Sequence, residues 1–176
     1  YRAANLPYYL NDKEVQQLLD TVDRSTIVGK RGYALLLLLS RLGLRACEVT
    51  SLTLDDVDWR NGEIIVQGKG FAKKRLPLSR EVGSAIASYL KIRRKDSGRA
   101  LFLITGPPYH GVSSGVITCV VKTALIRAGL KPYKSGSHLL RHTAATQMLR
   151  RGASLREVGM ILGHLSDDHT AIYAKV

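Results

Sequence analysis

Between residues 30 and 42 the chain is apolar on almost every side of a helix, and Gly43 follows at once. Ala34-Leu35-Leu36-Leu37-Leu38-Leu39 forms its uninterrupted centre. A helix without a polar face is stable only when other elements surround it, so this stretch commits the chain to a fold wrapped around one buried helix. The run is far short of the roughly 20 residues needed to cross a bilayer, and no secretory signal is visible at the start. With 176 residues, 45% of them apolar, the chain can supply one such core.

The remaining periodicity fills in the surroundings. Residues 1–10 read as a tether, and residues 11–176 as one domain. Asn11 with Glu14 opens a helix carrying Val15, Leu18, Leu19 and Val22 at helical spacing. A short helix over 45–52 follows the central one. The period then changes: 54–59, 63–67 and 75–78 read as strands, with Asn61-Gly62 as a hairpin turn. Gly68-Lys69-Gly70 and the run Lys73, Lys74, Arg75 occupy the second turn and the entry to the third strand. Helical patterns return over 81–94, 113–128, 137–151, 154–162 and from 167 to the end, and a Pro/Gly-rich loop spans 105–111. The fold class expected is mainly α with a small three-stranded antiparallel sheet.

Charge narrows the partners. Lys and Arg number 27 against 14 Asp and Glu, a net +13, which favours a polyanion such as nucleic acid over a merely solubilising basic surface. Cys47 and Cys119 offer neither a disulfide framework nor paired metal-ligand spacing, so a reducing, cytoplasmic compartment is expected.

Several polar residues each admit two readings. His138, Arg141 and His142 share one face of a helix's first turn, where free N–H groups and the dipole favour an oxyanion. They could equally be a surface basic cluster. Zinc is disfavoured, because Leu139 stands where a metalloprotease helix needs Glu. His164 follows Leu162-Gly163 and could be a simple helix cap. Tyr173 could be an ordinary amphipathic tyrosine. Arg45 and Glu48, one turn apart, could be a structural ion pair. Lys69 between glycines could be an exposed turn lysine, or an ammonium carried to a ligand by a flexible loop.

The order of these residues is more specific than any one of them. Gly43-Leu44-Arg45 with Glu48, Gly68-Lys69-Gly70 with Arg75-Leu76-Pro77-Leu78, His138-Leu139-Leu140-Arg141-His142 and Leu162-Gly163-His164 resemble the motif boxes of the tyrosine recombinase (phage-integrase) family. The resemblance runs from about Leu10 to Val176. It implies that family's helical catalytic domain with a small sheet, acting on double-stranded DNA.

By that resemblance the catalytic set is Arg45, Lys69, His138, Arg141, His164 and Tyr173. Tyr173 would attack the scissile phosphorus to give a 3′-phosphotyrosine and release a 5′-hydroxyl. Arg45 and Arg141 would hold the non-bridging oxygens, His164 would hydrogen-bond the same phosphate, His138 would take the tyrosine proton, and Lys69 would protonate the leaving oxygen. Neither metal nor cofactor is implied, since the cations are side chains. Glu48 would orient Arg45, and His142 would support the site. Lys73, Lys74, Arg75, Arg93 and Arg94 are candidates for DNA-backbone contacts.

The family usually adds an amino-terminal DNA-clamping domain and a carboxy-terminal segment that docks on a neighbour. Neither is seen in this sequence, which suggests a catalytic domain whose full-length protein assembles as a synaptic tetramer on DNA. The expected role is integration or excision of a mobile element. Alternatives are an Xer-type chromosome-dimer resolvase, a type IB topoisomerase, a non-catalytic DNA-binding protein on the same fold, and an RNA-binding protein.

Overall fold

The computed structural model describes residues 8–68, 73–131 and 136–163. Seven helices and three strands appear among them, in the order α1 (Asp12–Asp20), α2 (Ile27–Arg41), α3 (Ala46–Thr50), β1 (Val57–Asp58), β2 (Glu63–Gln67), β3 (Lys73–Pro77), α4 (Arg80–Leu90), α5 (Ser114–Arg127), α6 (Ser137–Arg150) and α7 (Leu155–Leu162). The strands form one antiparallel sheet in sequence order.

Helix α2 is the hub the apolar run demanded. Ala34 through Leu39 are fully buried, and α1, α3, α4, α5 and α6 all pack on this helix. Because the flanking elements come from both halves of the chain, α2 fixes where the α3 and α6 termini stand relative to each other. Those termini carry the candidate site.

Local chemistry sets several boundaries away from their sequence expectations. Leu10, assigned to the tether, is fully buried, and its N–H donates to Thr143 Oγ1 at 3.0 Å. Leu10 therefore already packs against the core. The strand expected over 54–59 is instead a 3₁₀ turn, Leu54–Asp56, leading into β1. Asp56 Oδ2 accepts both the N–H and the hydroxyl of Thr53 at 2.7 Å, a local arrangement that displaces ladder pairing. The helix expected over 81–94 stops at Leu90. Strand β3 starts earlier than expected, because Lys73 pairs with Gln67 and Lys74 with Val66. With a period of two, Lys74 shares the inward face with buried Leu76.

Candidate active site

The site starts at the end of α2. Gly43 has φ +64°, the left-handed region, and a Cβ there would lie 2.6 Å from Leu162 Cδ2 and 3.3 Å from Ala144 Cβ. Only glycine lets the chain turn this close to α6 and α7. Two residues later Arg45 caps α3, and Glu48 at the third helical position accepts the Arg45 N–H at 2.7 Å. The same carboxylate binds Arg45 Nη1 at 3.0 Å. Glu48 is only 4% exposed, so its burial is offset by the partners it meets there.

Those partners arrive from three elements. Arg141, on the first turns of α6, donates Nη1 to the Gly43 carbonyl at 2.7 Å and Nη2 to the Leu162 carbonyl at 2.8 Å. Its Nη1 also stands 3.9 Å from Glu48 Oε2. Arg45 Nη1 reaches the same Leu162 carbonyl at 3.4 Å. Lys74 from β3 donates Nζ to the Ile161 carbonyl at 3.0 Å and lies 3.6 Å from Glu48 Oε1. The last carbonyls of α7 carry the negative end of its dipole, and three cations hold them. Gly163, at φ +67°, ends α7 with Lys74 Nζ 3.5 Å from where its Cβ would be. Three cations face one carboxylate here, a surplus of positive charge beside the residue where the chain continues into His164.

Exposure differs across the cluster. The Arg45 side chain keeps 33% of its surface, whereas Arg141 keeps 6% and Lys74 17%. Burial pushes the Lys74 ammonium below its ordinary value of 10.5; Glu48 opposes that shift, and Arg141 and Arg45 reinforce it. The fold thus disfavours the charged form of Lys74. That cost is constant at neutral pH and is relieved as pH rises from the depressed folded value toward 10.5. Wild type should therefore gain stability relative to Lys74→Met as pH rises across the alkaline window. Denaturant melts at a series of pH values check this, and a pH-independent difference would refute the burial cost.

Of the other expected catalytic residues, His138 is exposed on the first turn of α6, one turn before Arg141, and His142 is half-buried. Lys69, His164 and Tyr173 lie outside the described residues, as does the helix expected from residue 167. Among the described residues no group of three His, Cys, Asp or Glu side chains could hold a metal ion, and no helix is long and apolar enough to cross a membrane. Cys47 and Cys119 are exposed free thiols.

The expected DNA-contact residues divide. Lys73 is exposed. Arg75 is exposed too, but it pairs with Glu63 at 2.9 Å and Asp58 at 3.9 Å on its own sheet. Arg94 lies over the Tyr109 ring at 4.6 Å. Arg93 is a correction. It lies beyond the end of α4 and is 6% exposed, donating to the carbonyls of Arg94, Gly98 and Ala100 at 2.7–2.8 Å. It pins the loop after α4 and has no surface to offer a phosphate. Arg93→Ala should cost about 3 kcal/mol of stability by stranding these carbonyls, with DNA affinity nearly unchanged. Chemical denaturation beside a binding titration checks both halves; a loss of affinity without a loss of stability would reverse the assignment.

Sequence reasoning grouped Lys74 with surface contacts and missed its place against Glu48. The alternation Lys74-Arg75-Leu76, with Leu76 inward, was the available signal.

The phage integrase family's model matches residues 8–176. A Sinorhizobium fredii (strain NBRC 101917 / NGR234) protein, y4rA, described as an integrase/recombinase, is 43% identical over 175 residues, covering 98% of this chain and 42% of the relative. Tyrosine recombinase XerC of Lacticaseibacillus casei (strain BL23) is 31% identical over 181 residues, covering 98% of this chain and 59% of the relative. The chain thus spans roughly half the length of these curated relatives. The crystal structure of XerH site-specific recombinase, bound to its difH substrate in a pre-cleavage complex, superposes with a TM-score of 0.85 at 26% identity, covering 96% of this chain and 50% of that one. An extended family match, relatives above 30% identity along nearly the whole chain, and a shared helical fold with a small sheet agree: the chain belongs to the phage integrase family.

Proposed function

We propose that this chain is the catalytic domain of a site-specific DNA recombinase that cuts and rejoins DNA through a 3′-phosphotyrosine. The observation that carries the reading is the convergence of Arg45 and Arg141, from opposite halves of the chain, on the single carbonyl of Leu162. A pentacoordinate phosphorane carries more negative charge than the diester it comes from. Cations fixed in place before the reaction stabilise it without reorganisation. Arg45, the more exposed of the two, supplies the contact edge toward the non-bridging oxygens, and Arg141 backs it with short-range charge.

Tyr173 is the nucleophile in this reading, His138 takes its proton, His164 adds a hydrogen bond to the phosphate, and Lys69 protonates the departing 5′-oxygen. Glu48 holds the arginines, and His142 supports the α6 face. Lys73 and Arg94 remain candidates for backbone contacts, while Arg75 shares its charge with the sheet. The net charge of +13 supplies the long-range attraction to DNA. The full-length protein assembles as a tetramer on paired sites in the cytoplasm and serves integration or excision of a mobile element.

The test is covalent capture. Incubated with a pool of nicked duplexes of randomised sequence, in which the cut end is lost and religation blocked, the chain should become covalently linked to DNA in an adduct that survives denaturing detergent. Sequencing the trapped DNA would then reveal the preferred site. Binding without any adduct would overturn the enzymatic reading in favour of a DNA-binding protein on the same fold.

A further inference from the structure

Helix α2 ends beside the candidate active site, but its first turns border a second cavity. Arg31 stands there, about 15 Å of helix before α2 ends. A groove of about 410 Å³ opens between α2 and α5, within the ~300–1,000 Å³ typical of small-molecule sites. Its lining is largely apolar, with Leu36 from α2 and Val116 and Val120 from α5. Gly32 keeps part of the space open. A Cβ at that position would meet only Val120 Cγ1, at an ordinary 3.6 Å, so packing does not demand the glycine. Glycine inside a helix is destabilising relative to alanine, and what it leaves here is room beside Arg31.

Arg31 is the group without an evident role. It lines the groove and is 6% exposed. A guanidinium carries five N–H donors. Nη1 donates to the Leu103 carbonyl at 2.6 Å, while Nε is buried without an acceptor. Among the described residues no carboxylate pairs with it, and burial pushes its pKa down, with Tyr89 opposing the shift. The acid among the groove's lining residues, Asp23, is exposed and held by Ser25, whose N–H and hydroxyl donate to it at 2.9 and 2.6 Å. A buried cation with one hydrogen bond and no counter-charge is strongly destabilising, and a water would satisfy a donor without supplying the missing anion.

We propose that the α2–α5 groove is a binding site for a small monocarboxylate with an apolar body. The carboxylate pairs with the side-on edge of Arg31, Nε with Nη2, which the Leu103 carbonyl on Nη1 leaves over. The body lies along Val116, Val120 and Leu36. The match of a carboxylate to a guanidinium edge fixes orientation, and a single buried cation in apolar walls selects a single negative charge. The site is separate from the Arg45–Arg141 cluster and does not rest on the recombinase reading, so either can fail while the other stands.

Two native thiols make the site testable. Cys119 is exposed on the α5 wall of the groove, whereas Cys47 is exposed but not on the lining and serves as the internal control. The probes are decanoate and its uncharged counterpart decanol, titrated calorimetrically into wild type, Arg31→Met and Thr123→Trp. Decanoate should slow alkylation of Cys119 by N-ethylmaleimide and leave Cys47 unchanged. It should bind roughly 10–100-fold more tightly than decanol, the worth of a hydrogen bond to a charged group. Arg31→Met should erase that preference, and Thr123→Trp, which fills the groove, should abolish binding of both probes.

Absence of decanoate binding overturns the proposal. Unprotected Cys119, or equal slowing at Cys47, places the ligand elsewhere and overturns it too. Equal affinities for decanoate and decanol leave an apolar groove without a role for the guanidinium, and undiminished decanoate affinity in Arg31→Met does the same. Should Arg31→Met fail to fold by circular dichroism, Thr123→Trp and the comparison of the two probes in wild type decide the matter.

Discussion

Tyr173→Phe should abolish the covalent protein–DNA adduct completely while leaving DNA affinity nearly unchanged. The asymmetry follows from what one hydroxyl does. A phenol of pKa ~10 is ionised about one part in a thousand at pH 7, a deficit of ~4 kcal/mol that a cationic pocket and a proton acceptor must offset. With Tyr173 as the proposed nucleophile, removing its oxygen removes the atom that would join phosphorus. With a net charge of +13 driving attraction to a polyanion, loss of one neutral group should alter affinity little. Denaturing gels score the adduct and a filter or polarisation titration scores affinity. An adduct persisting in the mutant would remove Tyr173 from the role of nucleophile and direct the search to another hydroxyl or thiol, with exposed Cys47 on α3 the first to examine.

The fold was legible wherever one physical signal dominated. The all-round apolar stretch could only be the central helix, and α2 is enclosed by five others. The Asn11/Glu14 spacing marks a helix start that the structure forms as a capping box. Legibility failed where local side-chain hydrogen bonds competed with the ladder, as Asp56 does with its bonds to Thr53. It failed also after α4, where Arg93 reads as one more charge on a basic helix. Its folding back onto three carbonyls depends on the loop's path, which no local pattern encodes.

Within the described residues, the sequence pointed to Arg45, Glu48 and Arg141 singly but not to the contacts that join all three. Arg45 and Glu48 one turn apart predict their own contact, because spacing on a helix is local information. That Arg141 would share the Leu162 carbonyl with Arg45 is tertiary information, settled by how α3, α6 and α7 pack around α2. Lys74 lay between these cases. Its inward direction could be read from the period of the strand, yet the sequence is silent on a buried carboxylate waiting there.

Arg141 carries the sharpest consequence of that shared frame. Arg141→Met should lower single-turnover cleavage by ~10³-fold, at the upper end of what losing one preorganised transition-state group costs. DNA with sulfur in place of the bridging 5′-oxygen should not restore it, because the role proposed for Arg141 lies on the non-bridging oxygens and not on the departing atom. The substitution also strands the Gly43 and Leu162 carbonyls and leaves buried Glu48 with two cations in place of three. A stability loss of about 2–4 kcal/mol should accompany the kinetic one. Arg141→Lys separates the two effects. It keeps the positive charge but not the planar fork that spans Gly43 and Leu162 at once, so it should recover part of the rate and little of the stability. If Arg141→Lys instead recovered stability while remaining as slow as Arg141→Met, charge at this position would not be what the reaction uses. Contact of the planar fork with the phosphate itself would then carry the role of Arg141.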